Sequence, residues 1–198
     1  MPELSFRLAW ELLACFCIGS IPFAVIAMTG SGIDIRKVGS GNPGFNNVLR
    51  VSKRRAIICL VGDVGKGIAA VSLFWQPGDP WQWAWWMGIA VVLGHCYSPF
   101  LKFRGGKGIA TSAGVMLVLY PKLAWPCIVT YVVGRIVGAK LKIPEAGALS
   151  SLSSWALFAI LVASFEGSAP AAYAAALFAF VTWRHRDNLA RLRMALQH

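Results

Sequence analysis

Charged residues are scarce in this chain: they make up 14% of 198 positions, and only 8 of them are acidic. A soluble domain carries roughly a quarter charged residues, so a water-facing surface around one compact core is excluded as the architecture. Low-complexity linkers are missing and nothing marks a second domain, which leaves a single domain over residues 1–198 as the expectation. Paired carboxylates and His/Cys clusters at metal-ligand spacing are also lacking, which argues against glycosidase and metal-dependent hydrolase chemistry; no metal and no cofactor are expected. The five cysteines, Cys15, Cys17, Cys59, Cys96 and Cys127, sit in apolar segments and read as small buried hydrophobes without disulfides. The first apolar run lacks a basic leader and a small-residue cleavage site, so it reads as a retained helix.

What the chain has in excess is hydrophobicity, at 57% of residues. The apolar residues fall into runs near the length of about 20 that a helix needs to cross about 30 Å of hydrocarbon. Candidate crossings are 6–28, 56–75, 81–100, 109–120, 123–137, 146–165 and 169–183. The fourth and fifth are short for a crossing and could be tilted, broken or one re-entrant pair. The fold expected is an all-α integral membrane bundle of seven transmembrane helices. The net charge of +11 then reflects topology rather than nucleic-acid binding. One alternating set of connections holds Arg36, Lys37, Arg50, Lys53, Arg54, Arg55, Lys102, Arg104, Lys107, Lys140, Lys142, Arg184, Arg186, Arg191 and Arg193. The other holds Arg7 and Lys122 as bases, with Glu3, Asp79 and Glu166. The positive-inside rule makes the first set cytoplasmic, with the N-terminus outside and the C-terminus cytoplasmic. Trp75, Trp81, Trp83, Trp85 and Trp86 cluster at the outer connection and read as an interfacial belt.

Four segments of the cytoplasmic set carry chemistry. In Ser40-Gly41-Asn42-Pro43-Gly44-Phe45-Asn46-Asn47-Val48-Leu49-Arg50, glycines let backbone N–H groups approach an anion, Ser and Asn add neutral donors, and Arg50 can grip a phosphate with a bidentate fork. An ordinary turn would need the bases for topology, but not this density of Ser, Gly and Asn. In Gly62-Asp63-Val64-Gly65-Lys66-Gly67, Asp63 and Lys66 lie three apart and share a helix face. Lipid exposure of a charge at mid-span costs roughly 2.5 to 3.5 kcal/mol, so both should face the bundle interior, as a structural pair or as substrate contacts.

The third segment, Gly94 to Thr111, reads GHCYSPFLKFRGGKGIAT and interleaves Lys102, Arg104 and Lys107 with Gly105, Gly106 and Gly108 before a new helix. Backbone donors, helix dipole and ammonium groups would surround one dianion there. It is not a nucleotide-binding P-loop, because neither Lys66 nor Lys107 is followed by Ser or Thr. His95 reads either as a hydrogen-bonded helix-end histidine or as a substrate contact. Gly65 to Ala69 and Gly106 to Ala110 repeat the same five residues, by chance or by duplication. The fourth segment is Trp183-Arg184-His185-Arg186-Asp187-Asn188-Leu189-Ala190-Arg191-Leu192-Arg193. On a helix continuing from the last crossing, His185 and Asn188 share a face, and Asp187 pairs with Arg184 and Arg191. Anionic headgroups alone would explain the arginines, but not His185 or Asn188.

All four offer donors suited to phosphate, and an organophosphate transporter or a non-catalytic lipid-binding protein could share them. A midplane site in broken, repeated helices would mark the transporter; these clusters instead gather at one interface. There is no HxxxxD pattern at His95 or His185. The segments SGNPGFNNVLR, GDVGKG, GHCYSPFLKFRGGKGIAT and HRDNLARL, in this order, resemble the bacterial acyl-phosphate:glycerol-3-phosphate acyltransferase family, PlsY. The resemblance covers nearly the whole chain. It implies transfer of a fatty acyl group from acyl phosphate to the 1-hydroxyl of glycerol 3-phosphate, giving lysophosphatidate and phosphate in the bacterial inner membrane, with membrane lipid as surroundings and no obligate protein partner.

Carried over residue by residue, the resemblance implies catalytic roles for Ser40, Lys107, His185 and Asn188, with Arg50 on phosphate. Gly41, Asn42, Asn46, Asn47, Gly105, Gly106 and Gly108 would shape the cradle, and Asp63, Lys66, His95, Lys102 and Arg104 would add contacts. Two departures stand out. Phe45-Asn46-Asn47 replaces the usual Ala-Thr-Asn, exchanging a hydroxyl for an amide at position 46. The stretch from Lys142 to Ala148 replaces a segment usually richer in Ser, and Glu145 brings negative charge toward anionic substrates.

Overall fold

A computed structural model describes residues 6–197, and the regular structure among them is helical. Glu3, assigned above to the outer side, lies outside the described residues. The chain divides after Leu119 into two compact units.

In the first unit, the run 6–28 is two helices, α1 (Phe6–Ser20) and α2 (Phe23–Met28). The cause is Pro22, which lacks the N–H that would continue the ladder. The break leaves carbonyls in need of donors, and side chains from distant segments supply them. Ser98 Oγ donates to the Ser20 carbonyl at 2.6 Å, and Lys66 Nζ to the Ile21 carbonyl at 3.1 Å. Next come a short 3-10 turn (Ile35–Lys37), α3 (Phe45–Val51) and α4 (Lys53–Phe74). Ser52 caps α4, its hydroxyl accepting from the Arg55 N–H at 3.4 Å. The Arg55 guanidinium donates to the carbonyls of Ala27 and Thr29 at 2.6 and 2.8 Å. Arg55 therefore satisfies the end of α2 as well as contributing to charge balance. A small core of Ala24, Ala27, Met28, Ile35, Val48, Ala56 and Cys59 joins these pieces beneath the Ser40 loop.

The unit is completed by α5 (Trp81–Cys96) and α6 (Ile109–Leu119). Glycines set how closely its helices cross. A Cβ placed at Gly19 would lie 2.1 Å from the Val91 carbonyl oxygen, and one at Gly94 2.1 Å from that of Phe16, where α1 meets α5. Gly67 and Gly114 play the same part between α4 and α6, against Thr111 and Val64. Such small-residue seams suit apolar surroundings, where packing and not water exclusion holds helices together. At the other end of α1, Arg7 pairs with Glu11 at 2.7 Å and with both Asp79 oxygens at 3.0 and 2.9 Å, its guanidinium over the Trp83 ring. Trp83 and Trp85 correct the belt reading: at 8% and 1% exposure both are core. Cys17 departs from the buried reading in the other direction: it is exposed, whereas the other four cysteines are buried.

The five-residue repeat is not structural. Its first copy lies in the middle of α4, and its second is a loop running into α6.

The second unit comprises α7 (Pro121–Lys140), α8 (Ala146–Phe165), α9 (Ser168–Arg184) and α10 (Arg186–Ala195). At 20 residues, α7 is longer than the 123–137 expected, because Pro121 starts the helix and Pro126 does not end it. A seam between α7 and α8 surrounds Gly134 and Gly138, and Ser154 Oγ donates to the Cys127 carbonyl at 2.7 Å. Among the described residues, five stretches are long and apolar enough to cross a membrane: Phe6–Met28, Lys53–Phe74, Trp81–Leu101, Pro121–Lys140 and Ala146–Phe165. The eleven residues of α6 and seventeen of α9 fall short of that length.

The seams make a direct prediction. Gly114→Ala pushes a Cβ into the Val64 backbone and should destabilise the detergent-solubilised protein by about 1–3 kcal/mol. Gly65→Ala meets nothing within 4 Å and should be neutral or stabilising by up to about 1 kcal/mol. Thermal unfolding of the two variants measures the contrast.

Candidate active site

The loop before α3 owes its shape to two glycines and one asparagine. Gly39 and Gly41 adopt φ of 57° and 67°, a region that side chains disfavour. Asn47 is buried, and its Oδ1 accepts from the Ser40 N–H at 3.1 Å while Nδ2 donates to the carbonyls of Ile35 and Val38, both at 3.0 Å. Its amide is thus turned toward the loop backbone, which it braces. Upstream, Asp34 caps the 3-10 turn and grips Arg36 at 2.8 Å; that guanidinium holds the Asp34 carboxyl down at about 2. Ser40 is exposed at the tip, with Gly41 and Asn42 half-buried beside it. Arg50, in the last turn of α3, is exposed, carries no ion pair among the described residues, and brings Nη1 to 3.7 Å from where a Cβ at Gly39 would lie. A base thus folds over the loop, but the backbone cradle expected there is used internally: the N–H groups of Ser40, Gly41 and Gly44 donate to Asn47 Oδ1 and to the carbonyls of Val38 and Asn42. The Asn46 Oδ1 is buried without a hydrogen-bond partner among the described residues.

A second group forms where α4 faces the end of α5. Asp63 lies ten residues into α4, about 15 Å from its basic start at 1.5 Å per residue. Its Oδ1 stands 2.9 Å from Lys66 Nζ and 3.4 Å from His95 Nδ1, and all three side chains are at least nine-tenths buried. These are close ionic contacts rather than well-aligned hydrogen bonds. Cys59 Sγ approaches Asp63 Oδ2 at 3.5 Å, and Lys66 also reaches the Ile21 carbonyl. The expected Asp63–Lys66 pair is present, and His95 joins it.

His95 links this group to the glycine loop. Gly106 N–H donates to the His95 carbonyl at 3.1 Å, and Gly105 N–H to that of Cys96 at 3.0 Å. A Cβ at Gly106 would lie 2.1 Å from His95 Nε2, so only glycine lets the loop lie against the ring. The loop then passes through Lys107, half-buried, and Gly108, at φ 88°, into α6. Lys102 and Arg104 do not join the glycines in this packing: both are exposed, Lys102 in a left-handed turn with Phe103.

In the second unit the helix expected to continue past 183 is interrupted. His185 ends α9 and precedes α10, with φ −97° and ψ 6°; its ring is buried, with Nδ1 2.8 Å from the Val181 carbonyl. Asp187 faces Arg186 at 3.9 Å, while Arg191 turns to Glu145 at 2.6 Å. The expected Asp187–Arg191 pair is therefore replaced, because Glu145, from the turn before α8, competes for the guanidinium. The same carboxylate accepts from Asn188 Nδ2, and the Glu145 bond raises the Arg191 pKa.

The structure thus brings together Ser40, Asn47 and Arg50; Asp63, Lys66, His95, Gly105 and Gly106; and Asn188 with Arg191. Arg191 was read as a topology charge and a partner of Asp187, and nothing in the spacing of residues 145 and 191 signals their contact. Lys66→Met, leaving Asp63 without its cation, should cost about 3–5 kcal/mol of stability, most of it recovered by adding Asp63→Asn. A double-mutant cycle on thermal unfolding reads that coupling.

Similarities to known proteins agree with this chemistry. The family profile described as Glycerol-3-phosphate acyltransferase matches residues 9–195. A glycerol-3-phosphate acyltransferase of Burkholderia orbicola (strain MC0-3) is 39% identical over 183 residues, covering 91% of this chain and 86% of that protein. Glycerol-3-phosphate acyltransferase 1 of Deinococcus radiodurans is 39% identical over 184 residues, covering 92% and 90%. The crystal structure of PlsY (YgiH), an integral membrane glycerol 3-phosphate acyltransferase, in its glycerol 3-phosphate form superposes with a TM-score of 0.81 at 29% identity, over 95% of this chain and 92% of that one. With a profile match spanning nearly its full length and relatives aligned over about nine-tenths of it, this multi-pass membrane protein belongs to the glycerol-3-phosphate acyltransferase family.

Proposed function

We propose that the protein transfers a fatty acyl group from acyl phosphate to the 1-hydroxyl of glycerol 3-phosphate, releasing phosphate and forming lysophosphatidate in the bacterial inner membrane. The observation that carries this reading is the pair of glycine-framed basic segments in the first unit, one bearing Ser40 and Arg50, the other Lys107, each braced by buried polar side chains. In this reading these segments and the His185–Asn188 segment belong to the cytoplasmic side of seven crossings, with the N-terminus outside. The excess of bases in the connections that hold these segments supports that orientation, and α6 and α9 would be the two short crossings. The solved PlsY has glycerol 3-phosphate and lysophosphatidic acid forms, which match the acceptor and product of this reaction.

Acyl phosphate is a mixed anhydride whose phosphate leaves readily, so no acyl-enzyme is needed. The acceptor oxygen attacks the acyl carbon, the carbon–oxygen bond to phosphate breaks, and the hydroxyl proton ends on the released phosphate. The protein's part is positioning and charge stabilisation. Arg50 and Lys107 neutralise phosphate oxygens; Ser40 and Asn188 orient the acceptor hydroxyl or the reacting carbonyl. His185, buried and bonded to the Val181 carbonyl, holds the turn that presents Asn188. Asn47, Asp63, Lys66 and His95 act as positioning residues, because their polar groups meet other parts of the protein. Asn46, which stands where a hydroxyl is usual, offers an amide oxygen able to accept from an acceptor hydroxyl.

Purified protein in a bilayer should release phosphate from palmitoyl phosphate only when glycerol 3-phosphate is added, and Lys107→Ala should lower kcat by about 10²–10³-fold, the size seen when one preorganised charge donor is lost. Release that ignores glycerol 3-phosphate rejects the acceptor, and unchanged turnover in the variant rejects the role of Lys107. Accumulation of glycerol 3-phosphate inside proteoliposomes without an acyl donor would indicate transport instead.

A further inference from the structure

We propose that Glu145 is an internal competitor for substrate phosphate, a carboxylate that occupies the donors of Asn188 and Arg191 and must leave them before a phosphorylated substrate binds there. The inference rests on the assignment of Asn188 to the acyl-transfer site.

The turn that carries Glu145 is tightly specified. Ile143 N–H donates to the Gly138 carbonyl at 2.8 Å, and Ala148 N–H to the Glu145 carbonyl at 2.8 Å. Lys142 and Glu145 both adopt φ of 53°, a conformation uncommon outside glycine. This backbone starts α8 at Ala146 and sends the Glu145 side chain to α10, where it is only 17% exposed. Asn188 and Arg191 are three residues apart on α10 and share a face. One Glu145 oxygen accepts from Asn188 Nδ2, the other from Arg191 Nε at 2.6 Å.

An amide and a guanidinium that grip two oxygens of one anion are the donor set used for phosphate as much as for carboxylate. A tie between the turn and α10 would need only the Arg191 contact. Engaging Asn188 as well means that this amide cannot give the same N–H to a substrate while Glu145 holds it. The exchange involves no covalent step: one anion replaces another on the same donors. Each substrate carries a phosphate, so either one could be the displacing ligand.

The test compares wild type, Glu145→Gln and Glu145→Ala in full-length protein reconstituted in lipid bilayers. Glu166→Gln, which removes an exposed acid at the far end of α8, controls for net charge. Equilibrium binding of inorganic phosphate, which needs no turnover, should tighten roughly tenfold in both Glu145 variants and stay unchanged in the control, the size expected when a charge-assisted competitor is removed. In the acyl-transfer assay, KM should fall by a similar factor for the substrate whose phosphate uses the clamp, and separate titrations of acyl phosphate and glycerol 3-phosphate identify which one. Phosphate binding unchanged or weakened in both Glu145 variants overturns the proposal, as does equal tightening in Glu166→Gln. A wild type that lacks acyl transfer but shows the binding contrast rejects the functional reading and retains the competing carboxylate.

Discussion

The first unit is built around one constraint: an ammonium and a carboxylate placed deep in an apolar helix must be satisfied from within the protein. Asp63 and Lys66 cannot face lipid, so they face α5 and the broken end of α1, and the elements around them arrange accordingly. At the break around Pro22 the Ile21 carbonyl turns out of the helical ladder, accepting from the Phe23 N–H at 3.1 Å and from Lys66 Nζ at 3.1 Å. His95 supplies a second contact to Asp63, and its own backbone carbonyl then receives Gly106. A chain of polar contacts thus runs from the middle of α4 to the loop that carries Lys107.

Close packing makes this chain of contacts short enough to work. The glycine seams of α1 with α5 and of α4 with α6 bring backbones together at distances that any side chain would prevent. Consequently α6 begins beside α4, and the glycine loop must turn within the few residues between the 3-10 turn at Pro99–Leu101 and Ile109. The loop before α3 is fixed differently, by Asn47 reaching three backbone positions and by the small core of α2, α3 and α4 beneath it. Both loops spend backbone N–H groups on their own bracing and hold their bases on rigid supports, which suits a catalyst that works by holding charges in place.

Much of this was legible in the sequence, for identifiable reasons. Long apolar runs locate helices because the period of exposure hardly matters in lipid, and the Asp63–Lys66 pair follows from a spacing of three. Boundaries near proline were harder: Pro22 splits a run that hydropathy treats as continuous, whereas Pro126 lies within α7 without ending it. Trp85 looked interfacial because its neighbours are tryptophans, yet helical rotation turns it into the core. Contacts between residues remote in sequence left no local trace. Position 145 advertised a negative charge but not that Asn188 and Arg191 hold it, and His95 gave no sign of Asp63.

The placement of Asp63 and Lys66 on one helix, a single turn apart, also bears on how the polypeptide enters the bilayer during synthesis. Opposite charges on adjacent turns can neutralise one another as soon as α4 becomes helical, before any neighbouring segment has emerged from the ribosome. Had the partners been split between α4 and α5, the first to insert would have waited unpaired in hydrocarbon. Local pairing removes that dependence on order and lets α4 partition into lipid as a self-sufficient segment, with His95 arriving later to complete what is already tolerable.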